Sequence, residues 1–180
     1  MKRPSYLVRP RTAILTRGFD PALSVGSARP AVFRSSTYVF SSPEAAERSF
    51  AIALGKAHPE PGENRELIYA RLSHPNAEIL EDQIVPLEPG ATSAAVFNSG
   101  MAAIATVFFT LGGPDTSFVY TTPLYGGTQH LIHQILESYG MQGLPVPAGD
   151  GVALQDAMRA ARRLRLLWIE TPANPTLRLS

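Results

Sequence analysis

The segment FNSGMAAI, residues 97–104, decides how the rest of the chain is interpreted. An apolar stretch, predicted as a strand over 93–97, precedes it, and an apolar helix is predicted to follow over about 100–111. Ser99 and the backbone N–H groups of Gly100 and Met101 would then lie at a helix N-terminus, where free N–H groups and the helix dipole bind anions, most often phosphate. Serine is also among the best N-cap residues, so the local sequence alone favours simple capping by Ser99.

Helices are predicted upstream of this corner, and strands and helices alternate downstream of it. Upstream, the sequence predicts a helix that begins after Pro43 and another over 76–85. Downstream, it predicts in order a strand over 117–120, a helix over 128–139, a weak strand over 144–146, a helix over 152–163 and a strand over 164–169. This alternation indicates an α/β fold with a mostly parallel sheet.

Composition narrows the possible functions. The chain has 180 residues, of which 44% are hydrophobic and 17% charged, which is typical of a folded domain with a real core. The formal net charge of +1 does not favour nucleic-acid binding, and no apolar run is long enough to span a membrane. The absence of cysteine excludes disulfides and thiol catalysis and fits a cytoplasmic protein. His130 and His133 lack a third ligand at matching spacing, so no metal site is predicted.

Two further polar corners follow predicted strands, over 121–127 and 170–176. Ligands of open α/β sheets bind beyond the carboxyl ends of the strands, so we expect these corners to share one site with Ser99. Tyr125 could stack on a planar ligand, although a loop tyrosine is more often a packing residue. Glu170 and Asn174 lie among prolines in a loop that suits either a binding site or a plain turn.

A phenol and a guanidinium lie close together upstream, at Tyr69 and Arg71. Arginine is suited to bidentate contact with phosphate, and in an extended chain both side chains would point to the same side. The local alternative, which this short stretch favours, is a strand with a solvated arginine.

Taken together, these segments resemble the Cys/Met-metabolism family of pyridoxal-phosphate-dependent enzymes, which includes cystathionine γ-synthase and methionine γ-lyase. The resemblance runs from about Thr16 to residue 180. It implies the large domain of fold type I, a three-layer α/β structure with a mostly parallel sheet, here incomplete. Residues 1–65 would form an extended N-terminal arm and residues 66–180 a truncated cofactor-binding domain. The motifs that carry the resemblance are, in order, YAR, HPN, ILED, FNSGMAAI, LYGGT and WIETPANPT.

The resemblance also implies roles for individual residues in binding pyridoxal 5′-phosphate. Ser99, Gly100 and Met101 match the loop that holds the cofactor phosphate. Tyr125 matches the tyrosine that stacks on the pyridine ring near the substrate, and it is the one catalytic residue expected here. The remaining cofactor-binding residues are Tyr69 and Arg71, which would reach the phosphate of a neighbouring subunit, Asn174, which would lie close to the phenolic oxygen, and Glu170, a polar support beside Asn174.

Two catalytic groups of the family have no counterpart in these 180 residues. The family continues with an aspartate that pairs with the pyridine nitrogen and a Ser-x-Thr-Lys segment whose lysine forms the Schiff base. The lysines here, Lys2 and Lys56, occupy no comparable position. We therefore expect an N-terminal fragment of an enzyme of sulfur amino-acid metabolism that is inactive alone.

The full-length relative would catalyse γ-replacement or γ- or β-elimination on a homoserine-derived or sulfur amino acid, as a dimer or tetramer in the cytoplasm. Two alternatives stay open at this point. One is a non-catalytic assembly or regulatory module that docks on a full-length homologue, and the other is a decayed product without a stable fold.

Overall fold

The structure, a computed structural model, describes residues 9–63 and 66–180. The chain divides into two compact units, residues 1–96 and 97–180. The division at residue 65 into arm and cofactor-binding domain, expected from the family resemblance, stays a prediction. Within the described ranges, no helix is both long and apolar enough to cross a bilayer.

The first unit is built of short helices whose ends follow the local sequence. The two longest are α2 (Pro43–Ala53) and α3 (Pro75–Ile84), and each begins with a proline at its first position, after a capping side chain. The Ser42 hydroxyl accepts from the Ala45 N–H at 3.1 Å, and the His74 ring accepts from the Asn76 N–H at 3.2 Å. Both predicted helices are confirmed. The helices of this unit are α1 (Pro10–Ala13), α2 (Pro43–Ala53), α3 (Pro75–Ile84) and the 3₁₀ turns Pro21–Ser24 and Val85–Leu87.

Long-range polar contacts hold the irregular part of this unit. The Asn76 side chain bonds both backbone groups of Phe33, at 3.0 Å to its N–H and 2.9 Å to its carbonyl. Thr37 and Tyr69 form an antiparallel bridge. These contacts tie residues before α2 to residues beside and within α3.

The predicted strand over 93–97 is wrong. Residues 91–97 belong to no strand in the structure, and Val96 is 40% exposed. The Val96 N–H donates to the Glu81 carboxylate at 2.8 Å. The apolar pattern was suited to a strand, but within the described residues no neighbouring strand pairs with this segment.

The second unit is an α/β layer, as predicted. Its three strands are parallel: β1 (Ser117–Thr122), β2 (Gln142–Pro147) and β3 (Leu164–Trp168) lie in the order β2-β1-β3. The elements are α4 (Gly100–Leu111), β1 (Ser117–Thr122), α5 (Gly126–His130) continued by a π-helical segment (Leu131–Leu136), β2 (Gln142–Pro147), α6 (Gly151–Ala160) and β3 (Leu164–Trp168). The helix predicted over 128–139 therefore starts two residues earlier and changes its hydrogen-bonding pattern after His130.

The core of this unit lies between one face of the sheet and the helices α4 and α5. Phe108 of α4 is 1% exposed, and its ring centroid lies 4.9 Å from that of Phe118 on β1 and 5.1 Å from that of Trp168 on β3. The π-helical segment adds Ile132 and Leu136, both fully buried. Because side chains alternate along β1, Phe118 and Tyr120 face this cluster while Val119 faces the other side, where α6 packs on β2 and β1. The core thus fixes the start of α4 and α5 relative to the carboxyl ends of the strands.

Candidate functional site

The first polar corner is a capped helix start with free backbone donors. The Ser99 hydroxyl accepts from the Ala102 N–H at 3.1 Å, so Ser99 is the N-cap of α4. This capping leaves the N–H groups of Gly100 and Met101 without an intrahelical partner, as at any helix N-terminus. A hydroxyl that accepts one bond still has its hydrogen to donate. Capping and anion binding by Ser99 are therefore compatible.

Space is available in front of these donors. A β-carbon at Gly100 would have no other group within 4 Å, and Gly100 is exposed. The Gly100 backbone is therefore open on the side where a β-carbon would lie.

The second corner packs directly on the first. A β-carbon at Gly127 would lie 2.5 Å from Cε1 of Tyr125 and 2.9 Å from Sδ of Met101. The absence of a side chain at Gly127 thus makes room for the Tyr125 ring and the Met101 thioether together. Tyr125 is 44% exposed, so part of its ring is free to contact a ligand.

The third corner is joined to the second by a carboxylate. Glu170 accepts from the Tyr125 N–H at 2.6 Å, from the Thr128 hydroxyl at 2.7 Å and from the Trp168 indole N–H at 3.2 Å. Thr128 is fully buried in the first turn of α5. Through Gly127 and Glu170, the three corners meet at one edge of the second unit. The second and third corners follow β1 and β3, as predicted, whereas the first follows no strand.

Asn174 lies at this corner, but its side chain does not bond the groups around Glu170. It lies in the turn 174–176, and its side chain is exposed. In the part of the chain that the structure describes, this side chain makes no hydrogen bond. The buried neighbour Ala173, which is 1% exposed, holds the turn in place.

Tyr69 and Arg71 lie in the first unit and form a pair of their own. The Arg71 guanidinium carbon lies 5.7 Å from the centroid of the Tyr69 ring, a cation–π contact. The expectation of an extended chain here is wrong, because the N–H groups of Leu72 and Ser73 both donate to the Tyr69 carbonyl and turn the chain. The turn, not strand alternation, brings the two side chains together.

Sequence reasoning missed three residues that shape this site: Gly127, Thr128 and Trp168. A signal for two of them was present. A carboxylate that directly follows an apolar strand needs hydrogen-bond donors to offset its burial. Two donors could have been identified from the sequence: Trp168, two residues before Glu170, and Thr128, the first hydroxyl residue after Tyr125. The role of Gly127 depends on the position of Met101 in space and had no local signal.

Comparison with known proteins identifies the family of this chain. The family model for Cys/Met metabolism PLP-dependent enzymes matches residues 11–180. The chain belongs to this family. It is 32% identical to an L-methionine gamma-lyase of Pseudomonas deceptionensis over 168 residues, which are 93% of this chain and 39% of that protein. It is 36% identical to the cystathionine gamma-synthase of Mycobacterium leprae over 114 residues, 62% of this chain and 28% of that protein.

Solved structures agree with the family. The crystal structure of apo CalE6, a methionine gamma lyase from Micromonospora echinospora, matches with a TM-score of 0.73 and 28% identity, over 96% of this chain and 40% of that one. The fold is thus the α/β architecture of fold type I, incomplete here, and the family's cofactor is pyridoxal phosphate. The chain spans about two fifths of the length of the first relatives that it matches.

Proposed function

We propose that residues 97–180 form one wall of the pyridoxal-phosphate site of a sulfur amino-acid enzyme. The phosphate would bind at the start of α4 and the pyridine ring on Tyr125. The observation that carries this proposal is the packing of Met101 and Tyr125 on Gly127, because it brings the N-terminus of α4, with its free N–H groups, beside a partly exposed aromatic residue.

The chemistry of the first turn suits a phosphate dianion. The Gly100 and Met101 N–H groups and the Ser99 hydroxyl hydrogen supply donors, and the positive end of the α4 dipole favours negative charge. Tyr125 would lay the exposed part of its ring on the pyridine, with stacking worth about 0.5–1.5 kcal/mol. When bound in a complete site, the cofactor withdraws electrons from the amino-acid substrate.

The activity of the whole protein is part of the proposal. We infer γ-replacement or γ- or β-elimination on a homoserine-derived or sulfur amino acid, in the cytoplasm, as the family resemblance implies. Tyr125 would contact the substrate, and Asn174 the cofactor's phenolic oxygen. In a homo-oligomer, Tyr69 and Arg71 would reach the phosphate held by a neighbouring subunit. The 180 residues alone would bind the cofactor but would not catalyse the reaction, because neither Lys2 nor Lys56 matches the family's Schiff-base lysine.

A proline substitution tests phosphate binding with little effect on the helix. Gly100 is the first residue of α4, where proline is well tolerated and where the extended backbone of Ser99 suits a following proline. Gly100→Pro removes one N–H donor from the proposed phosphate site. Gly151→Pro is the matched control, since Gly151 is the first residue of α6 and likewise has open space around it.

The probe is pyridoxamine 5′-phosphate, which has no aldehyde and so does not react with lysine. Its affinity is measured by calorimetry, with unphosphorylated pyridoxamine as the ligand control. A hydrogen bond to a charged group is worth about 1.5–3 kcal/mol, so Gly100→Pro is expected to weaken binding about 10- to 150-fold. Unchanged affinity in Gly100→Pro, or equal losses in the Gly151→Pro control, would count against the proposed phosphate site.

A second candidate function, an assembly module for a full-length homologue, is favoured by one observation. Apolar side chains of the first unit are almost fully exposed, with Val32 at 80%, Val39 at 96% and Val25 at 102%. Such residues are suited to burial on another subunit. Co-purification with a full-length family member would support this function, and a strictly monomeric chain that leaves the homologue's activity unchanged would argue against it.

A further inference from the structure

We propose that Glu170 is a positioning residue that holds the Tyr125 loop in place, and not a ligand of the cofactor. This inference rests on the proposed function, because it concerns the same site. The family resemblance counts Glu170 among the cofactor-binding residues, as a polar support beside Asn174. The role inferred here differs in its partners, which are Tyr125, Thr128 and Trp168.

The hydrogen bonds of Glu170 are directed at the protein. Oε2 accepts from the Tyr125 N–H, while Oε1 accepts from both the Thr128 hydroxyl and the Trp168 indole. Glu170 is half-buried, and its partner Thr128 is fully buried. Both carboxylate oxygens are therefore engaged in holding α5 and the end of β3 together.

Two of these bonds attach the start of α5 to the Glu170 carboxylate, one at Tyr125 and one at Thr128. Tyr125 is the N-cap residue of α5, and Thr128 lies in the first turn of the same helix. The Tyr125 side chain makes no capping bond, so Glu170, which comes from another element, supplies the acceptor near this helix start. Glu170 thus anchors the backbone of Tyr125, from which the ring extends over Gly127.

Two of the three partners can only donate and therefore require an acceptor. The Tyr125 N–H and the Trp168 indole N–H cannot act as acceptors, and they approach opposite oxygens of the carboxylate. In Glu170→Gln, one of these oxygens becomes an NH₂ group. Whichever way the amide turns, an NH₂ group then faces an N–H donor and that hydrogen bond is lost.

Amide hydrogen exchange tests the positioning role without any cofactor. In the unmodified chain, the Tyr125 N–H is expected to exchange at least about tenfold more slowly than the N–H groups of Gly126 and Gly127, which lie in the open first turn of α5. Equal exchange at these three amides would overturn the proposal, and this comparison needs no variant.

Glu170→Gln provides the second measurement, with Glu137→Gln as the matched control. Glu137, the exposed residue that follows the π-helical segment, pairs with the His133 ring at 2.9 Å. In Glu170→Gln, the exchange of the Tyr125 amide is expected to accelerate at least about tenfold, or the indole N–H resonance of Trp168 to shift. Exchange in β1 is expected to stay unchanged in both variants, and Glu137→Gln is expected to change neither signal.

The two proposals fail separately. If the unmodified chain does not bind pyridoxamine 5′-phosphate, the proposed function fails, while protection of the Tyr125 amide would still support the positioning role. If binding is present but Glu170→Gln leaves the Tyr125 amide, the Trp168 indole and the ligand affinity unchanged, the positioning role is refuted and the site stands. If Glu170 contacts the ligand directly, Glu170→Gln lowers affinity without altering the ligand-free exchange at Tyr125, which also refutes it.

Discussion

Replacing Gly127 with alanine tests whether the contact between the first two corners matters for ligand binding. The new β-carbon would lie 2.5 Å from Cε1 of Tyr125 and 2.9 Å from Sδ of Met101, well inside van der Waals contact. If nothing moved, such overpacking would cost about 1–3 kcal/mol of folding free energy. Both contacting atoms belong to flexible side chains, however, and the Tyr125 ring is 44% exposed, so the ring is expected to rotate outward.

This rotation separates the effect on stability from the effect on affinity. The free energy of unfolding is expected to fall by less than about 1 kcal/mol, because a partly exposed ring loses little packing. Loss of stacking on the ligand would cost about 0.5–1.5 kcal/mol, which is about two- to twelvefold in affinity for pyridoxamine 5′-phosphate.

Gly126→Ala is the matched control for this experiment. Gly126 lies in the same helical turn, and a β-carbon there would have no other group within 4 Å. Both substitutions carry the same gain in helix propensity, so their difference isolates the contact with Tyr125. Calorimetric titration gives the affinity, and denaturant unfolding gives the stability. Equal affinities for the two alanine variants would refute the proposed arrangement of Tyr125 over Gly127.

Three further predictions follow from the described contacts. Ser99→Ala and Ser42→Ala are each expected to cost about 1 kcal/mol of stability through a lost N-cap, but only Ser99→Ala is expected to weaken phosphate binding; equal affinities in calorimetry would contradict this. Phe108→Ala is expected to lower the free energy of unfolding of the second unit by about 3–5 kcal/mol in urea, and a loss below about 1 kcal/mol would show that the cluster is not the core. Hydrogen bonds from the Ser41 hydroxyl and N–H lower the pKa of Glu66 from its ordinary value of 4.5. The stabilisation that ionised Glu66 contributes is therefore present above pH 4.5 and is lost as the pH falls through the lowered pKa. An NMR titration in which the Glu66 carboxyl titrates at or above its ordinary pKa would disprove this prediction.

The helices and strands of the second unit could be predicted from the sequence because their local patterns agree with the packing that they adopt. Helix α4 has a serine cap, an apolar run and a glycine after its last residue, and strands β1 and β3 are apolar runs between turns. These features depend on neighbouring residues and were predicted to within a few positions.

The failures share one physical cause, which is that a local pattern does not show which partner a group will find. The segment 93–97 has the pattern of a strand, yet the Val96 N–H donates to the carboxylate of Glu81 in α3 and not to a neighbouring strand. The chain turns after Tyr69, so Arg71 folds over its ring in place of the predicted extended geometry. Two of the donors to Glu170, Tyr125 and Thr128, likewise precede it by 45 and 42 residues in the sequence.

The most direct test of the account is a ¹⁵N NMR titration of the chain with pyridoxamine 5′-phosphate. The account predicts that the amide resonances of Gly100, Met101 and Tyr125 shift together and saturate at one concentration, while unphosphorylated pyridoxamine leaves the first two in place. Shifts confined to residues elsewhere, such as Arg162 and Arg163 near the other end of the strands, would contradict it.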